Sequence, residues 1–189
     1  GTGTINIDDH QQLQLTTQYY KSESDGKHGL FLGENFAAVT GDAKAYNKDN
    51  LNSDRIPGTE RHLINLQYSN TDFWGQDLVA QIYYRDESLT YYPFPTLSKG
   101  AVTSIGASQQ KTDFYGGKLT LNSKPMDDLT LTWGVDADHE TFDANQQFFD
   151  LSKAAASGGM ELDNAYNVGR YPGYSITNLA PFLQASYDI

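Results

Sequence analysis

The sequence contains no cysteine and only two methionines, and none of its apolar runs is long. The lack of cysteine excludes a disulfide framework and a thiolate metal site. No stretch approaches the roughly 18 continuous apolar residues that mark a membrane helix. The net charge of −11 argues against a general nucleic-acid binder, which would need a basic stripe. What remains is a chain of low mean hydropathy in which 13% of the residues are aromatic.

Signatures of catalysis and of metal binding are also missing. The four histidines share no spacing that would form a metal site; they are His10, His28, His62 and His139. The acidic run 42–54 fails the EF-hand pattern because Leu51 occupies a position that needs an oxygen ligand. No nucleophile elbow or phosphate loop stands out. We therefore expect a protein that is not an enzyme.

The clearest pattern lies in residues 129–142. Leu131, Trp133 and Val135 fall on one side of an extended strand, and Asp136 and Asp138 fall on the other. The alternation is longer than an ordinary globular strand and matches the roughly 9–11 residues with which a tilted strand crosses a bilayer. This stretch predicts a transmembrane β-strand with one lipid face and one wet face.

The same alternation recurs along the chain. The predicted strands are 11–22, 60–71, 77–88, 112–122, 129–142 and 175–189. Three long connections, Glu23–Thr59, Leu89–Gln110 and Asp143–Tyr174, alternate with short turns. Outer-membrane barrels have this asymmetry, with short periplasmic turns and long outer loops. The predicted fold is therefore all-β: a segment of an up-and-down antiparallel transmembrane β-barrel, with about six full strands and three long outer loops.

Charge and tyrosine placement support this fold. Every mid-strand charge has the parity of the polar face; these residues are Arg85, Lys118, Asp136 and Asp138. An Arg or Lys on the lipid face would cost about 2–4 kcal/mol near mid-bilayer. Tyrosines fall at both ends of the apolar alternation, as aromatic girdles require; they are Tyr19, Tyr84 and Tyr115 at one end and Tyr68 and Tyr187 at the other. The alternative is a soluble all-β binding or adhesion module that uses aromatic-rich loops on a saccharide.

The short turn after residue 70 also predicts a strand register. If it centres near Phe73, paired residues have numbers that sum to about 146. Ile64 then lies opposite Ile82, and Arg61 lies opposite Arg85. Two like charges directly opposite are destabilising and need a shared anion. This register predicts an anion-attracting pair of arginines above the polar face.

Several segments resemble the TonB-dependent siderophore receptors of the Gram-negative outer membrane. The specific ones are 30–36 (LFLGENF), 50–62 (NLNSDRIPGTERH), 91–95 (YYPFP), 144–150 (ANQQFFD) and 169–174 (GRYPGY). A final strand, 178–187 (NLAPFLQASY), is shared more widely among such receptors. The resemblance covers most of the chain and implies a 22-stranded barrel with a plug domain, of which residues 1–189 would be a middle slice without the plug.

The resemblance also implies partners. These are a ferric siderophore of the hydroxamate–citrate class, the TonB complex acting through the plug, outer-membrane lipid and lipopolysaccharide, and bacteriocins or phage at the outer loops. No nucleic acid is expected. The iron arrives already chelated, so we expect no cofactor and no metal ligands in the protein.

Such a chelate is a bulky anion, which needs cations, hydrogen-bond donors and aromatic walls. The candidate ligand-binding residues are Arg61, Arg85, Tyr83, Tyr91, Tyr92, Phe94, Arg170 and Tyr171. For each of them a structural role stays open, because lumen arginines often pair with carboxylates and loop tyrosines pack loops together.

Overall fold

A computed structural model describes residues 1–23, 31–32, 38–39, 57–99, 101–156 and 162–188. The strands are β1 Thr2–Asn6, β2 Gln11–Glu23, β3 Phe31–Leu32, β4 Ala38–Val39, β5 Gly58–Asn70, β6 Asp77–Thr90, β7 Phe94–Ser98, β8 Ala101–Met126, β9 Leu129–Phe149 and β10 Asn164–Tyr187. One short helix, α1, spans Leu151–Ala156. Among the described residues, no helix is long and apolar enough to cross a membrane.

The strands form one eight-stranded antiparallel sheet in the order β1-β2-β5-β6-β8-β9-β10, with β7 paired to β8. A separate small hairpin joins β3 and β4. Because sequential neighbours in the large sheet are antiparallel, the long connections leave at one end and the short turns at the other. The sheet is open, with β1 and β10 at its two ends. The predicted fold class, a segment of an antiparallel barrel wall, is confirmed.

Strands extend into two of the regions that the sequence marks as loops. Strand β8 begins at Ala101 rather than near residue 112, β9 continues to Phe149, and β10 begins at Asn164. Strand β7 joins this upper part of the sheet after β6 has ended. Apolar–polar alternation is required only where one face meets lipid, so strand that continues beyond the membrane lacks that signal. The acidic run 42–54 lies outside the described residues.

Pairing places the alternating residues in continuous rows across the sheet. One row contains Leu15, Leu66, Ile82, Gly117, Ala137 and Leu179. The next row contains Gln14, Gln67, Gln81, Lys118 and Asp136. Directly paired residues share a face, and neighbouring residues in a strand do not. The sheet therefore has an apolar face, which carries the first row, and a polar face, which carries the second, as the sequence predicts.

Large apolar side chains on the apolar face are exposed. Leu183 is 73% exposed, Leu179 72%, Ile82 61% and Trp133 41%. No dry core surrounds Trp133. A soluble protein rarely leaves so large an apolar surface uncovered. The apolar face therefore has the composition of a lipid-facing surface.

Aromatic and imidazole rings border the apolar face near the long connections. Tyr19 and His62 have ring centroids 4.8 Å apart, and Tyr115 and His139 have ring centroids 5.2 Å apart. Tyr84 pairs with Tyr115 in the same row. Such amphipathic rings are typical of the membrane–water interface. The predicted outer girdle is therefore present on the expected face.

The turn between β5 and β6 corrects the predicted register. Phe73 and Gln76 exchange backbone hydrogen bonds, and the residues between them, Trp74 and Gly75, have φ values of 54° and 76°. Two central residues with positive φ define the type I′ hairpin turn. The register centres on Trp74, so Leu66 pairs with Ile82. A two-residue shift leaves every side chain on its predicted face but changes its partner.

A second short turn, between β1 and β2, is organised by Asp8. Its carboxylate accepts hydrogen bonds of 2.8 Å from the backbone N–H groups of His10 and Gln11. The His10 amide contributes most to lowering the pKa of Asp8 below its usual value. These contacts satisfy the donors that a tight turn leaves without ladder partners.

The upper part of the apolar face is covered by protein. Ile105, Ala107 and Phe149 form a small core with Ala154 of α1 and with Leu162. The Asp150 carboxylate accepts hydrogen bonds from the Ser152 and Lys153 amides at the start of α1. This cover ends above the tyrosine girdle, so the exposed apolar residues are confined to a band below it.

Candidate binding site on the polar face

The middle of the polar face carries a charged and aromatic network. Lys118 Nζ lies 3.6 Å from Asp136 Oδ2 and 5.4 Å from the ring centre of Phe182. The Tyr83 hydroxyl donates to Asp136 Oδ1 at 3.5 Å. Tyr83 in turn stacks on Phe114, with ring centroids 5.5 Å apart. The cation and the carboxylate at this height therefore neutralise each other.

Two glycines let aromatic rings lie close to the wall. A β-carbon at Gly116 would lie 2.7 Å from the Tyr83 hydroxyl and 2.5 Å from the Ala137 carbonyl oxygen. A β-carbon at Gly134 would lie 2.9 Å from Phe182 Cζ and would overlap the Leu119 carbonyl oxygen. Covering a strand glycine with a cross-strand aromatic ring restores the contact area that the missing side chain would supply.

The predicted opposition of Arg61 and Arg85 is wrong. Arg61 pairs with Glu87, and their charged groups lie 4.0 Å apart; Arg85 pairs with Leu63. The cause is the register of the β5–β6 turn, which lies two residues from the predicted sum. Both arginines remain on the polar face, but they occupy different rows and share no single anion position.

The Arg85 guanidinium lies over the Phe114 ring, with its central carbon 5.2 Å from the ring centre. Its Nε atom is buried and has no hydrogen-bond partner among the described residues. The structure describes no carboxylate in ion-pair contact with Arg85. A cation over an aromatic ring keeps its charge available to an incoming anion.

Most of the remaining predicted residues come together in one cavity at the long-connection end. This mouth cavity has a volume of about 530 Å³ and is lined by Tyr91, Tyr92, Phe94, Thr96, Gly106, Ser108, Gln110, Gln146, Arg170 and Tyr171. The volume falls within the roughly 300–1,000 Å³ of small-molecule sites. Arg61, Arg85 and Tyr83 do not line it; they lie lower on the polar face.

Arg170 reaches the mouth cavity from an irregular part of β10. Register shifts flank it, between Gly169 and Tyr171 and again between Tyr171 and Tyr174. Bulges of this kind re-aim side chains next to functional sites. The Arg170 guanidinium donates to the hydroxyl of Ser108, which is 3% exposed, and lies 5.4 Å from the Tyr171 ring centre. These contacts position the charge but do not neutralise it.

Tyr92 supplies a polar atom on the opposite wall of the mouth cavity. Its hydroxyl is buried and has no hydrogen-bond partner among the described residues. A buried hydroxyl without a partner carries a desolvation cost of about 1–3 kcal/mol, which a ligand acceptor would remove. The mouth cavity thus combines a cation, an unpaired donor and aromatic walls, an arrangement suited to an anion with apolar parts.

Sequence reasoning missed the cavity floor. Gly106, Ser108 and Gln110 belong to the extended part of β8, where alternation gives no signal. Gln146 lies within the segment ANQQFFD, which carries the family resemblance and could have identified it. Among the described residues, no group of three or more His, Cys, Asp or Glu side chains could hold a metal ion.

An antiparallel wall with a lipid-type face and a polar face that ends in such a cavity defines a class: a section of a membrane β-barrel with a ligand-accessible lumen. The chain is homologous to part of the ferric-siderophore receptors. It is 62% identical over its whole length to the ferric aerobactin receptor of Klebsiella pneumoniae and 60% identical to that of Escherichia coli. It is also 34% identical, over 96% of its length, to the rhizobactin receptor of Rhizobium meliloti (strain 1021).

The chain spans about a quarter of these relatives, covering 26% of each aerobactin receptor and 24% of the rhizobactin receptor. No family model matches it. The relatives are receptors and not enzymes, which agrees with the expectation from the sequence.

Proposed function

We propose that the chain forms part of the wall of a Gram-negative outer-membrane receptor that takes up a ferric siderophore of the aerobactin type, a hydroxamate–citrate chelate. In the intact protein the uptake is driven by the TonB complex through a plug domain. The iron enters inside the chelate, so the wall needs no cofactor of its own. Lipid and lipopolysaccharide contact the apolar face, and bacteriocins or phage contact the outer loops.

The observation that carries this proposal is the composition of the mouth cavity. Arg170 has no carboxylate partner among the described residues, and the Tyr92 hydroxyl nearby has no acceptor. Both are surrounded by the rings of Tyr91, Phe94 and Tyr171. A carboxylate-bearing chelate would accept hydrogen bonds from the two donors while its aliphatic arms contact the rings. Homology to receptors for two ferric siderophores supports the same ligand class.

A soluble adhesion module is not favoured. Such a module would have to cover the exposed apolar face, where Leu179 and Leu183 are each more than 70% exposed. Its relatives would also be expected among adhesins rather than siderophore receptors.

Replacing Arg170 with glutamine in the full-length receptor should weaken binding of ferric aerobactin about tenfold. A hydrogen bond to a charged group contributes about 1.5–3 kcal/mol, and the partial exposure of Arg170 places the effect at the low end. Tyr92→Phe removes the unpaired hydroxyl but keeps the ring, and should weaken binding about fivefold. Equilibrium binding of ⁵⁵Fe-labelled chelate to outer-membrane vesicles measures both.

Lys111→Gln is the matched control. Lys111 lies on the same strand as Ser108 but on the opposite face, paired with Asp143. It should bind the chelate like the wild type. Equal losses in the Lys111 and Arg170 variants would indicate a general charge effect and would count against the mouth cavity as the binding site.

A further inference from the structure

The polar face is divided into two halves of different character. On β1, β2 and β5, and at the first polar position of β6 beside them, the middle rows carry only amides and hydroxyls. We define this amide wall as Thr2, Thr4, Asn6, Gln12, Gln14, Thr16, Asn65, Gln67, Ser69 and Gln81. Its side chains hydrogen-bond to one another across strands, as in the 2.7 Å bond from Gln81 Nε2 to Asn65 Oδ1. None of these residues carries a charge.

The other half, on β8 and β9, carries fixed charge. Lys118 is neutralised by Asp136, but Asp138 and Glu140 follow in the next two rows. Their contacts are with neutral groups: Asn178 donates to Asp138 at 2.8 Å, and the Tyr174 hydroxyl donates to Glu140 at 2.8 Å. Beyond the Lys118–Asp136 pair, these carboxylates make this half of the polar face negative.

Cations lie directly above the amide wall rather than above the acidic half. Arg85 is in the row above the Asn65–Tyr83 pair, and Arg61 is one row higher. The Arg61 charge is shared with Glu87, whereas Arg85 rests on Phe114 with its Nε unpartnered among the described residues. An anion leaving the mouth cavity would therefore meet attraction on the β5–β6 side and repulsion on the β9 side.

We propose that the amide wall borders the route by which an anionic ferric chelate descends through the lumen after release from the mouth cavity. This inference rests on the proposed function and adds to it the side of the lumen along which the ligand moves. Passage requires contacts that are numerous and weak, since a ligand bound tightly at one place does not move on. Each amide offers both donors and acceptors without a fixed charge. The carboxylates of β9 repel the chelate and confine it to this side.

The test compares charge variants of Gln67, which lies at the centre of the amide wall between Gln14 and Gln81. In cells that express the full-length receptor, Gln67→Glu should lower the rate of ⁵⁵Fe-chelate uptake about fivefold, which corresponds to about 1 kcal/mol of added barrier. Binding measured without energy should stay within about twofold of wild type, because the mouth cavity is unchanged. Raising the ionic strength should restore part of the rate.

Two controls separate a route from a structural role. Gln184→Glu places the same charge on the polar face of β10, beyond the acidic half, and should leave uptake unchanged. Gln67→Lys perturbs the wall equally but attracts the chelate, and should not reduce uptake as Gln67→Glu does. Equal losses for both signs at Gln67, or equal losses for Gln67→Glu and Gln184→Glu, would overturn the inference while leaving the proposed function intact. Absence of chelate binding by the wild type would overturn both.

Discussion

Leu183→Arg in the full-length receptor should destabilise the folded barrel by about 2–4 kcal/mol, the cost of an arginine on the lipid face near mid-bilayer. Leu183 is 73% exposed and shares its row with Trp133 and Leu121 on the apolar face. In a membrane this exposed position is filled by acyl chains, which cannot solvate a guanidinium. The cost therefore comes from the solvent that the face meets and not from lost contacts within the sheet.

Gln184→Arg is the matched control. The two positions are adjacent in β10, both are exposed, and they lie on opposite faces. The control should change the free energy of unfolding by less than about 0.5 kcal/mol, as ordinary surface substitutions do. Urea unfolding in lipid vesicles, followed by the gel-mobility shift of the folded barrel, measures both variants. Equal destabilisation by the two substitutions would mean that both faces meet the same environment.

Gly134→Ala should also produce a large loss of stability, of about 1–3 kcal/mol or more. The added methyl group would overlap the Leu119 carbonyl oxygen of β8 and approach Phe182 Cζ to 2.9 Å. A flexible ring can turn aside, but a backbone carbonyl within a β-ladder cannot move without breaking strand pairing. The sheet must therefore open locally between β8 and β9.

Gly169→Ala provides the comparison, because a β-carbon there meets nothing within 4 Å. It should leave the unfolding midpoint within the error of the wild type in the same urea titration. If Gly134→Ala proved as stable as Gly169→Ala, the close packing of β8, β9 and Phe182 described above would be incorrect.

The sequence predicts most of the membrane-level structure because lipid imposes a strict pattern. Residues such as Leu131, Trp133, Lys118 and Asp136 can occupy only one face each, so parity alone assigns them. Register between strands is less constrained. A shift of two residues preserves every face, which is why Arg61 was assigned the wrong partner while remaining on the correct side.

Above the membrane the pattern fades, and so does prediction. Gly106 and Ser108 lie in strand β8, but both of their faces are covered by polar groups or by protein, so no alternation marks them. The aromatic residues Tyr91 and Tyr92 could be identified by composition and by resemblance. Their meeting with Arg170 depends on β7 and on the irregular register of β10, which only the folded chain reveals.

The central claim is that one face of this wall meets lipid and the other meets water. Spin labels placed one at a time from Leu131 to Asp138 in the full-length receptor, reconstituted in vesicles, test it most directly. Accessibility to oxygen should peak at 131, 133, 135 and 137, and accessibility to a water-soluble nickel chelate should peak at the positions between them, with a period of two residues. Uniform accessibility along β9, or the same alternation with the two reagents exchanged, would contradict the claim.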